Sequence, residues 1–369
     1  MSFINGPVFN RVIVPLSLVS SVCGGILLLR EKKGGKKCPN TNRVDGKVVV
    51  ITGANSGIGK ETAKEVAKRG ATVILGCRHM GKCEDAAVEI RRLSENKHVV
   101  CRFLNLADLN SVKEFAETIQ KELPHIDVLV NNAGVMKPRP PKTTFKTDDG
   151  FERQFGVNHL GHFLLTNLLL EKLTNGEEPG RVINITSDAY KQGSIDLENI
   201  DKSDVEGEER LNQLYYQSKL ANVLFTDSLN RRSKSEYNEK LVSNCIHPGI
   251  VDTNISQYST VPFYVAPMYS LFKPFKLLTA MKTPLQGAQT SIHLATDPSL
   301  THRSGWYYSD CESIAPTCDL CDGDLADQLW KKCEEWTDLA ERRNKIKPKN
   351  QNNIATSDVK KISQKQTSS

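Results

Sequence analysis

The sequence predicts an α/β protein with a doubly wound parallel sheet in a single domain. Short apolar segments, rich in β-branched residues, alternate with amphipathic segments of roughly 10 to 20 residues between about residues 46 and 310. This alternation indicates parallel strands joined by helices that cover both faces of the sheet. The first apolar segment also passes directly into a glycine-rich turn, which is typical of the start of such a sheet.

The first predicted unit is a strand, a tight turn and a helix. The strand is the β-branched run at residues 48–51, and a helical pattern follows from residue 60 to about 69. Between them lies the turn Thr52-Gly53-Ala54-Asn55-Ser56-Gly57-Ile58-Gly59. Glycines let the backbone bend sharply, and a helix N-terminus presents free N–H groups to an anion. The spacing after a strand therefore predicts a site for the pyrophosphate of a dinucleotide.

The remaining elements alternate in the same way. Strands are predicted at residues 71–75, 99–104, 127–130, 181–185 and 241–246, and helices at 82–94, 111–122, 151–173, 211–231 and 325–339. This is the Rossmann type of arrangement, in which ligands lie at the carboxyl ends of the strands. The glycine turn, residues 131–134, Ser187 and residues 248–249 all fall at such ends.

An uncharged run at residues 12–29 precedes the domain and is flanked by Arg11 and Arg30. Its length just suits a membrane-spanning helix, although Pro15 and two glycines weaken the pattern. A cleaved signal peptide or a buried helix are the alternatives. A cleaved signal peptide would take the body into a compartment where the sequon at Asn184 meets the glycosylation machinery. That sequon lies inside a predicted core strand, which favours an uncleaved anchor. The basic residues after the run place the body in the cytosol.

The charge distribution divides the chain into three parts. Residues 1–45 form the anchor and a basic linker, residues 46–340 the folded domain, and residues 341–369 a polar, basic tail that we expect to be disordered. The formal net charge of +6 comes from the two ends, because the body holds more acidic than basic residues. A mildly acidic body argues against nucleic-acid binding.

The ten cysteines are sparse and irregularly spaced. Only Cys318 and Cys321 have a metal-like spacing, and no second such pair supports a zinc site. Reduced, structural thiols in a cytosol-facing protein are the interpretation that we favour, and no metal is expected.

A tyrosine and a lysine lie four residues apart on the long helix predicted at 211–231. Tyr215 and Lys219 therefore share one helical face, whereas Tyr216 has no lysine at that offset. A nearby ammonium favours the phenolate, so the pair predicts an acid/base tyrosine with a lowered pKa.

Two further polar residues support this interpretation. Ser187 closes a predicted strand, where its hydroxyl could donate to a carbonyl oxygen, and Asn158 is a polar residue within a largely apolar helix. His159 and His162 are one turn apart, and structural packing explains them better than a metal does.

Taken together, these motifs resemble those of the short-chain dehydrogenase/reductase family, and finer details resemble its membrane-anchored retinol dehydrogenase branch. The family motifs are Thr52-Gly53-x-x-x-Gly57-Ile58-Gly59, Asn131-Asn132-Ala133-Gly134, Asn158, Ser187, Tyr215-x-x-x-Lys219 and Pro248-Gly249. The branch details are Val157-Asn158-His159-Leu160-Gly161-His162, Ser218-Lys219-Leu220-Ala221-Asn222, His247-Pro248-Gly249 and Lys282-Thr283-Pro284-x-Gln286-Gly287-Ala288. The resemblance covers about residues 46–310.

The resemblance implies a role for each motif residue. Tyr215 would be the acid/base, Ser187 would bind and polarise the substrate oxygen, and Asn158 would support a proton-relay water. Lys219 would lower the pKa of Tyr215 and, beside that tyrosine, bind the nicotinamide ribose. The cofactor contacts implied are Gly53, Asn55, Ser56, Gly57, Ile58 and Gly59 for the phosphates, Asn132, Ala133 and Gly134 for the adenosine side, and Pro248, Gly249, Val251 and Thr253 over the nicotinamide.

The end of the second strand favours NADP(H) over NAD(H). A carboxylate at this point would bind the ribose 2′-OH of NAD. Here Arg78 follows the strand instead, where it could meet a 2′-phosphate; a plain surface charge is the alternative. Asn105 stands where the family usually has an aspartate against the adenine, so binding is expected to survive with an altered affinity.

The substrate is expected to be lipophilic. Residues 261–281 hold five aromatic residues and correspond to the segment that covers the substrate in the family. Such a segment could also rest on a bilayer. Retinol and retinal are the leading pair, with a steroid, a lipid aldehyde or a xenobiotic carbonyl as alternatives. A catalytically inactive nucleotide-sensing scaffold is the other class of function. The expected location is the endoplasmic reticulum membrane, a mitochondrial membrane remains open, and the oligomeric state is not predicted.

Overall fold

The computed structural model describes residues 34–136, 146–198, 200, 208–253 and 282–346, together with residues 17, 20, 21, 24 and 25. Residues 34–43, which we call the N-terminal strap, run along the outside of the domain. The backbone N–H of Cys38 donates to Gln289 Oε1 at 2.9 Å, and Asn40 accepts from Arg69 Nη1 at 2.9 Å. The predicted linker is therefore packed against the body where the structure describes it.

The described strands form one sheet in the order β3-β2-β1-β4-β5-β6-β7-β8. The strands are β1 (Val48–Thr52), β2 (Thr72–Cys77), β3 (Val99–Phe103), β4 (Val128–Asn131), β5 (Gly180–Ile185), β6 (Leu241–His247), β7 (Trp306–Ser309) and β8 (Glu312–Pro316). Strands β1 to β7 pair in parallel, and β8 runs antiparallel to β7. The strand order reverses between β1 and β4, so a crevice for ligands is expected there.

Helices cover both faces of this sheet. They are α1 (Gly57–Lys68), α2 (Met80–Ser94), α3 (Leu109–Glu122), α4 (Gly161–Thr174), α5 (Glu208–Glu236), α6 (Pro284–Thr296), α7 (Gly323–Trp336) and α8 (Leu339–Ile346). One apolar core lies between the sheet and α3, α4, α5 and α7, and a second lies between the sheet and α1, α2 and α6. The predicted doubly wound sheet is confirmed, and β7 and β8 are additional to the six predicted strands.

The helix predicted at 151–173 is not a single regular α-helix. A short turn at Arg153–Phe155 leads into a π-helical stretch at Gly156–Leu160, which continues as α4. The π-helical stretch is buried throughout, and π-helical turns are frequent at functional sites. Asn158 lies within this stretch.

The C-terminal boundary of the domain differs from the prediction. The helix predicted at 325–339 ends at Trp336, and Asp338 takes a positive φ of 44° before α8 begins. Arg343 on α8 donates to the carbonyl oxygen of Asn167 at 3.2 Å, so residues 341–346 belong to the fold and not to a disordered tail. The tail from residue 347 onwards lies outside the described residues.

The prediction that the cysteines are reduced is wrong for one pair. Cys83 on α2 and Cys101 on β3 form a disulfide. Both side chains are buried where α2 packs on the sheet, and spacing in the sequence alone did not reveal this proximity.

The membrane anchor lies almost entirely outside the described residues. Within the part of the chain that is described, no helix is both long and apolar enough to cross a bilayer.

Candidate active site

A cavity of about 830 Å³ lies at the carboxyl ends of β1, β2, β4, β5 and β6. All but two of the predicted site residues line it: Gly53, Asn55, Ser56, Gly57, Ile58, Arg78, Asn105, Asn132, Ala133, Gly134, Ser187, Tyr215, Lys219, Pro248, Gly249, Val251 and Thr253. The two exceptions are Gly59 and Asn158, both of which are buried. The topology therefore brings nearly the whole predicted set to one crevice.

The glycine turn has the geometry of a phosphate cradle. Gly53 and Gly57 have φ values of +66° and +58°, which residues with a side chain rarely adopt. A Cβ added to Gly59 would lie 2.8 Å from the carbonyl oxygen of Gly53, so only glycine lets α1 start this close to β1. Ser56, which caps α1, makes no side-chain capping bond to the helix, so the first turn presents N–H groups to the cavity.

Thr52 joins the glycine turn to the loop after β4. Its hydroxyl accepts from the backbone N–H groups of Asn132 and Ala133, each at 2.9 Å. The same hydroxyl lies 2.8 Å from His162 Nε2, and His162 Nδ1 lies 3.1 Å from the carbonyl oxygen of Asn158. Because Thr52 already accepts twice, it donates to Nε2, and Nδ1–H donates to Asn158. Burial lowers the pKa of His162 to about 3, which keeps the ring in this neutral form.

Asn158 clamps two segments that are distant in sequence. Its Oδ1 accepts from Val135 N–H at 2.7 Å, and its Nδ2 donates to the Val135 carbonyl and to Ser218 Oγ, each at 3.0 Å. The side chain is thus used in holding the β4 loop against α5. Its role in supporting a water stays a prediction.

Tyr215, Ser187 and Lys219 meet at the cavity wall. The Ser187 hydroxyl is hydrogen-bonded to Tyr215, which distinguishes this tyrosine from Tyr216. Lys219 Nζ lies 5.5 Å from the centroid of the Tyr215 ring and donates to the Ile185 carbonyl at 3.1 Å.

The pKa of Tyr215 differs from the prediction. Burial raises it to about 12, and the hydrogen bond from Ser187 opposes this rise only in part. Burial also lowers the pKa of Lys219 to about 8. The lowering of the Tyr215 pKa that we expected from Lys219 is therefore not found, because removal of the phenol from water outweighs other influences.

The far end of the cavity is basic. Arg78 directly follows β2 and lines the cavity with Lys82 and Arg153. Burial lowers the pKa of Arg153, and the positive charge of Arg78 nearby lowers it further. Asn105, at the same end, uses its Oδ1 to accept from Ala107 N–H at 3.2 Å, so only part of the amide is free for a ligand.

The loop after β6 closes the crevice on one side. Gly249 takes a positive φ of 85°, and Val251 forms an isolated parallel bridge with Lys282. A Cβ at Gly57 would lie 3.4 Å from the Thr253 side chain, so this loop lies directly over the glycine turn. The predicted substrate segment at 261–281 lies outside the described residues.

Several residues that sequence reasoning missed also line the cavity. Tyr216, Ile250, Arg153 and His247 are among them. His247 precedes Pro248-Gly249, and its place in that motif was the only signal for it. In the described ranges, no group of three His, Cys, Asp or Glu residues could hold a metal ion, and His159 instead contacts Asn222 and Cys333 in the core.

The chain resembles known proteins in sequence and in fold. Residues 47–199 match the family model described as short chain dehydrogenase. Retinol dehydrogenase 13 from Homo sapiens is 43% identical over 321 residues, which span 87% of this chain and 93% of that protein. The crystal structure of an uncharacterized protein from Mycobacterium Paratuberculosis is 32% identical, with a TM-score of 0.63 over 82% of this chain and 98% of that chain. A short chain dehydrogenase from Shigella flexneri, solved as a complex with NADP, is 22% identical and shares the fold, with a TM-score of 0.55 over 74% of this chain and 100% of that chain.

Proposed function

Because the chain belongs to the short-chain dehydrogenase/reductase family, within its retinol dehydrogenase branch, we propose that it interconverts a lipophilic alcohol and its aldehyde or ketone with NADP(H). Retinol and retinal are the leading substrate pair. The observation that carries the proposal is the meeting of Ser187, Tyr215 and Lys219 in a cavity that also holds a phosphate cradle. A bound nicotinamide would supply or accept the hydride, and the protein would manage the proton and the charge on oxygen.

The residues around Tyr215 suit carbonyl reduction. With a pKa of about 12, Tyr215 is protonated at neutral pH and can donate a proton to the substrate oxygen. The Ser187 hydroxyl would orient that oxygen. Lys219, with a pKa of about 8, is mostly charged at pH 7 and would stabilise the phenolate that remains. Oxidation would follow the same steps in reverse, with the Tyr215 phenolate accepting the proton of the alcohol.

The described residues fit NADP(H). The glycine turn and the N-terminus of α1 would hold the pyrophosphate, and residues 132–134 and 248–253 would flank the two nucleoside halves. Arg78 and Lys82 would neutralise a 2′-phosphate, and no carboxylate follows β2 to favour NAD.

We expect Tyr215→Phe to lower kcat for retinal reduction by at least about 100-fold, because the proton donor is lost while the ring and its packing remain. The measurement is NADPH oxidation with retinal, using the full-length protein in lipid vesicles. Tyr216→Phe is the matched control, since Tyr216 lines the same cavity without the contact to Ser187, and should stay within about threefold of the wild type. Full turnover by Tyr215→Phe would refute the mechanism.

The substrate class is tested by a panel of carbonyls and alcohols, run with NADPH/NADP and NADH/NAD in parallel. We expect the highest kcat/KM with retinal. A preference for a steroid, a lipid aldehyde or a xenobiotic carbonyl would keep the chemistry and change the substrate. Binding of NADPH without turnover of any of them would favour a non-catalytic scaffold.

A membrane location is also part of the proposal. Residues 12–29 would anchor the protein, and the basic residues after them would keep the body in the cytosol, with the endoplasmic reticulum favoured over mitochondria. The disulfide between Cys83 and Cys101 argues against a cytosolic body, because such bonds persist in oxidising compartments. Protease protection of sealed membranes distinguishes the two orientations.

A further inference from the structure

His247 makes two contacts with one residue, and the proposed reaction does not use it. It is the last residue of β6 and lines the cavity beside Pro248. Its Nδ1 lies 3.3 Å from the backbone nitrogen of Asp188, and its Nε2 lies 3.6 Å from Asp188 Oδ2. Both ring nitrogens therefore face Asp188, the residue that follows Ser187.

The backbone contact fixes the state of the imidazole ring. An N–H can only donate, so the N–H of Asp188 requires an unprotonated, accepting Nδ1. The ring proton then lies on Nε2, on the side of the Asp188 carboxylate. A second proton on Nδ1 would set two N–H groups against each other and break the hydrogen bond.

Asp188 is itself held from two other directions. Tyr307 Oη on β7 donates to Asp188 Oδ1 at 2.8 Å, and Lys191 Nζ lies 3.2 Å from the same oxygen. Asp188 begins the 3-10 turn Asp188–Gln192, and Ser187 Oγ accepts from Ala189 N–H at 3.3 Å within this turn. The orientation of the Ser187 hydroxyl therefore depends on the peptide that His247 holds.

We propose that His247 is a positioning residue: its neutral ring holds the Asp188 N–H and so keeps Ser187 directed at Tyr215, and protonation of the ring releases this contact. The inference rests on the proposed function, since it concerns the serine that would bind the substrate oxygen. His247 acts through Ser187 and need not touch the substrate.

The charges around His247 determine the direction of the pH dependence. Burial lowers the pKa of His247, and Lys282 and Lys191 lower it further, while Asp188 and Asp310 raise it. The net shift is downward from the ordinary value near 6.5. The neutral, holding form is thus complete at neutral pH, and it is lost as the pH falls through the lowered pKa.

Two variants separate the hydrogen bond from the titration. His247→Asn can place its amide oxygen near the position of Nδ1 and does not titrate, whereas His247→Leu has no acceptor. With the full-length protein in vesicles and NADPH and retinal as substrates, we expect kcat of the wild type to fall on the acid side. His247→Asn should keep kcat within about threefold at pH 7 and lose this acid limb, and His247→Leu should lose roughly tenfold in kcat at pH 7, the effect of one hydrogen bond.

The proposal is overturned if His247→Asn retains the acid limb of the wild type, or if His247→Leu retains full kcat. Thermal unfolding of each variant verifies that it is folded. If His247→Leu does not fold, the pH profile of His247→Asn decides.

A second readout needs no turnover. In full-length protein labelled with ¹⁵N-histidine, the His247 ring signals, assigned by their loss in His247→Asn, should report an unprotonated Nδ1 at pH 7 and a pKa below 6.5. A protonated Nδ1 would overturn the inference. If the wild type reduces no carbonyl, the proposed function fails, and the ring signals still decide the state of His247.

Discussion

Burial at the cavity wall favours the uncharged forms of two residues that carry the proposed chemistry. It raises the pKa of Tyr215 to about 12 and lowers that of Lys219 to about 8. Tyr215 therefore holds its proton across the physiological range, and Lys219 loses its charge as the pH rises through about 8. The protonated form of Tyr215 is the proton donor that carbonyl reduction requires.

Arg78 is the residue on which cofactor preference depends. We expect Arg78→Ala to weaken NADPH binding by roughly 10- to 100-fold, because a charge-assisted contact to the 2′-phosphate is lost. NADH binding should change less than about threefold, since NADH has no such phosphate. Fluorescence titration of the full-length protein with each cofactor measures both constants.

The matched control for this prediction is Arg92→Ala, which removes an exposed arginine on α2 outside the cavity. It should leave both constants unchanged. An equal loss of NADPH and NADH affinity in Arg78→Ala would mean that the 2′-phosphate is recognised by other residues.

The π-helical stretch before α4 is the element that connects the cofactor side to the catalytic side. The side chain of Asn158 is hydrogen-bonded to Val135 and Ser218, and its carbonyl oxygen accepts from His162. His162 in turn is hydrogen-bonded to Thr52, the residue before the glycines of the turn. A regular α-helix would place these groups at a different angle. With the wider π turn, the Asn158 amide contacts both the loop after β4 and α5.

Asn158→Ala should destabilise the protein by about 2–3 kcal/mol, because the partly buried N–H and carbonyl of Val135 and the buried hydroxyl of Ser218 lose their partner. The melting temperature of the full-length protein in detergent should fall by several degrees. Asn175→Ala removes an exposed amide at the end of α4 and should cost less than about 0.5 kcal/mol. Equal melting temperatures for the two variants would show that the clamp contributes nothing to stability.

The elements that could be predicted are those whose signal is local. Strands β1 to β6 carry apolar or β-branched runs, and the glycine turn has its own spacing, so both were predictable from sequence. β8 was missed because residues 312–316 form a half-exposed edge strand without an apolar run. The π-helical stretch has the same apolar composition as an α-helix, so composition cannot distinguish them.

The site was predictable as a set of residues but not as a set of contacts. Tyr215 and Lys219 are recognisable because they lie one turn apart on a single helix. The partners of Asn158 and His247 are 23 to 60 residues away in the sequence, so only the packed fold reveals them. The direction of the Tyr215 pKa was missed for the same reason, since burial is a property of the fold.

At the scale of the whole molecule, the ends of the domain are tied to its body. Lys36 on the N-terminal strap pairs with Glu312, and Arg342 on α8 donates to Asn110 at 2.8 Å. The strap runs beside α6, whose first turn is fixed by a capping box between Thr283 and Gln286. The N-terminal strap therefore joins the domain on the side where α6 begins.

We expect the full-length protein to stay in the membrane pellet after carbonate extraction, because residues 12–29 would span the bilayer. Val19→Arg places a charge near the middle of this run and should shift the protein towards the supernatant. Leu18→Val, which keeps the run apolar, is the control. Release of the wild type into the supernatant would contradict a spanning anchor.

The packed strap also limits how far the domain can move from such an anchor. Leu29 and Gly34 are five residues apart, so a fully extended chain would span at most about 18 Å between them. A Cβ at Gly34 would run into the side chain of Gln286, which places this attachment point at the start of α6. A folded domain of this size has a radius of gyration of roughly 19 Å. The segment between Leu29 and Gly34 can therefore reach no farther than about one such radius. The domain would therefore stay against the lipid surface. Its rate of encounter with a lipophilic substrate would follow the mole fraction of that substrate in the bilayer rather than its concentration in water.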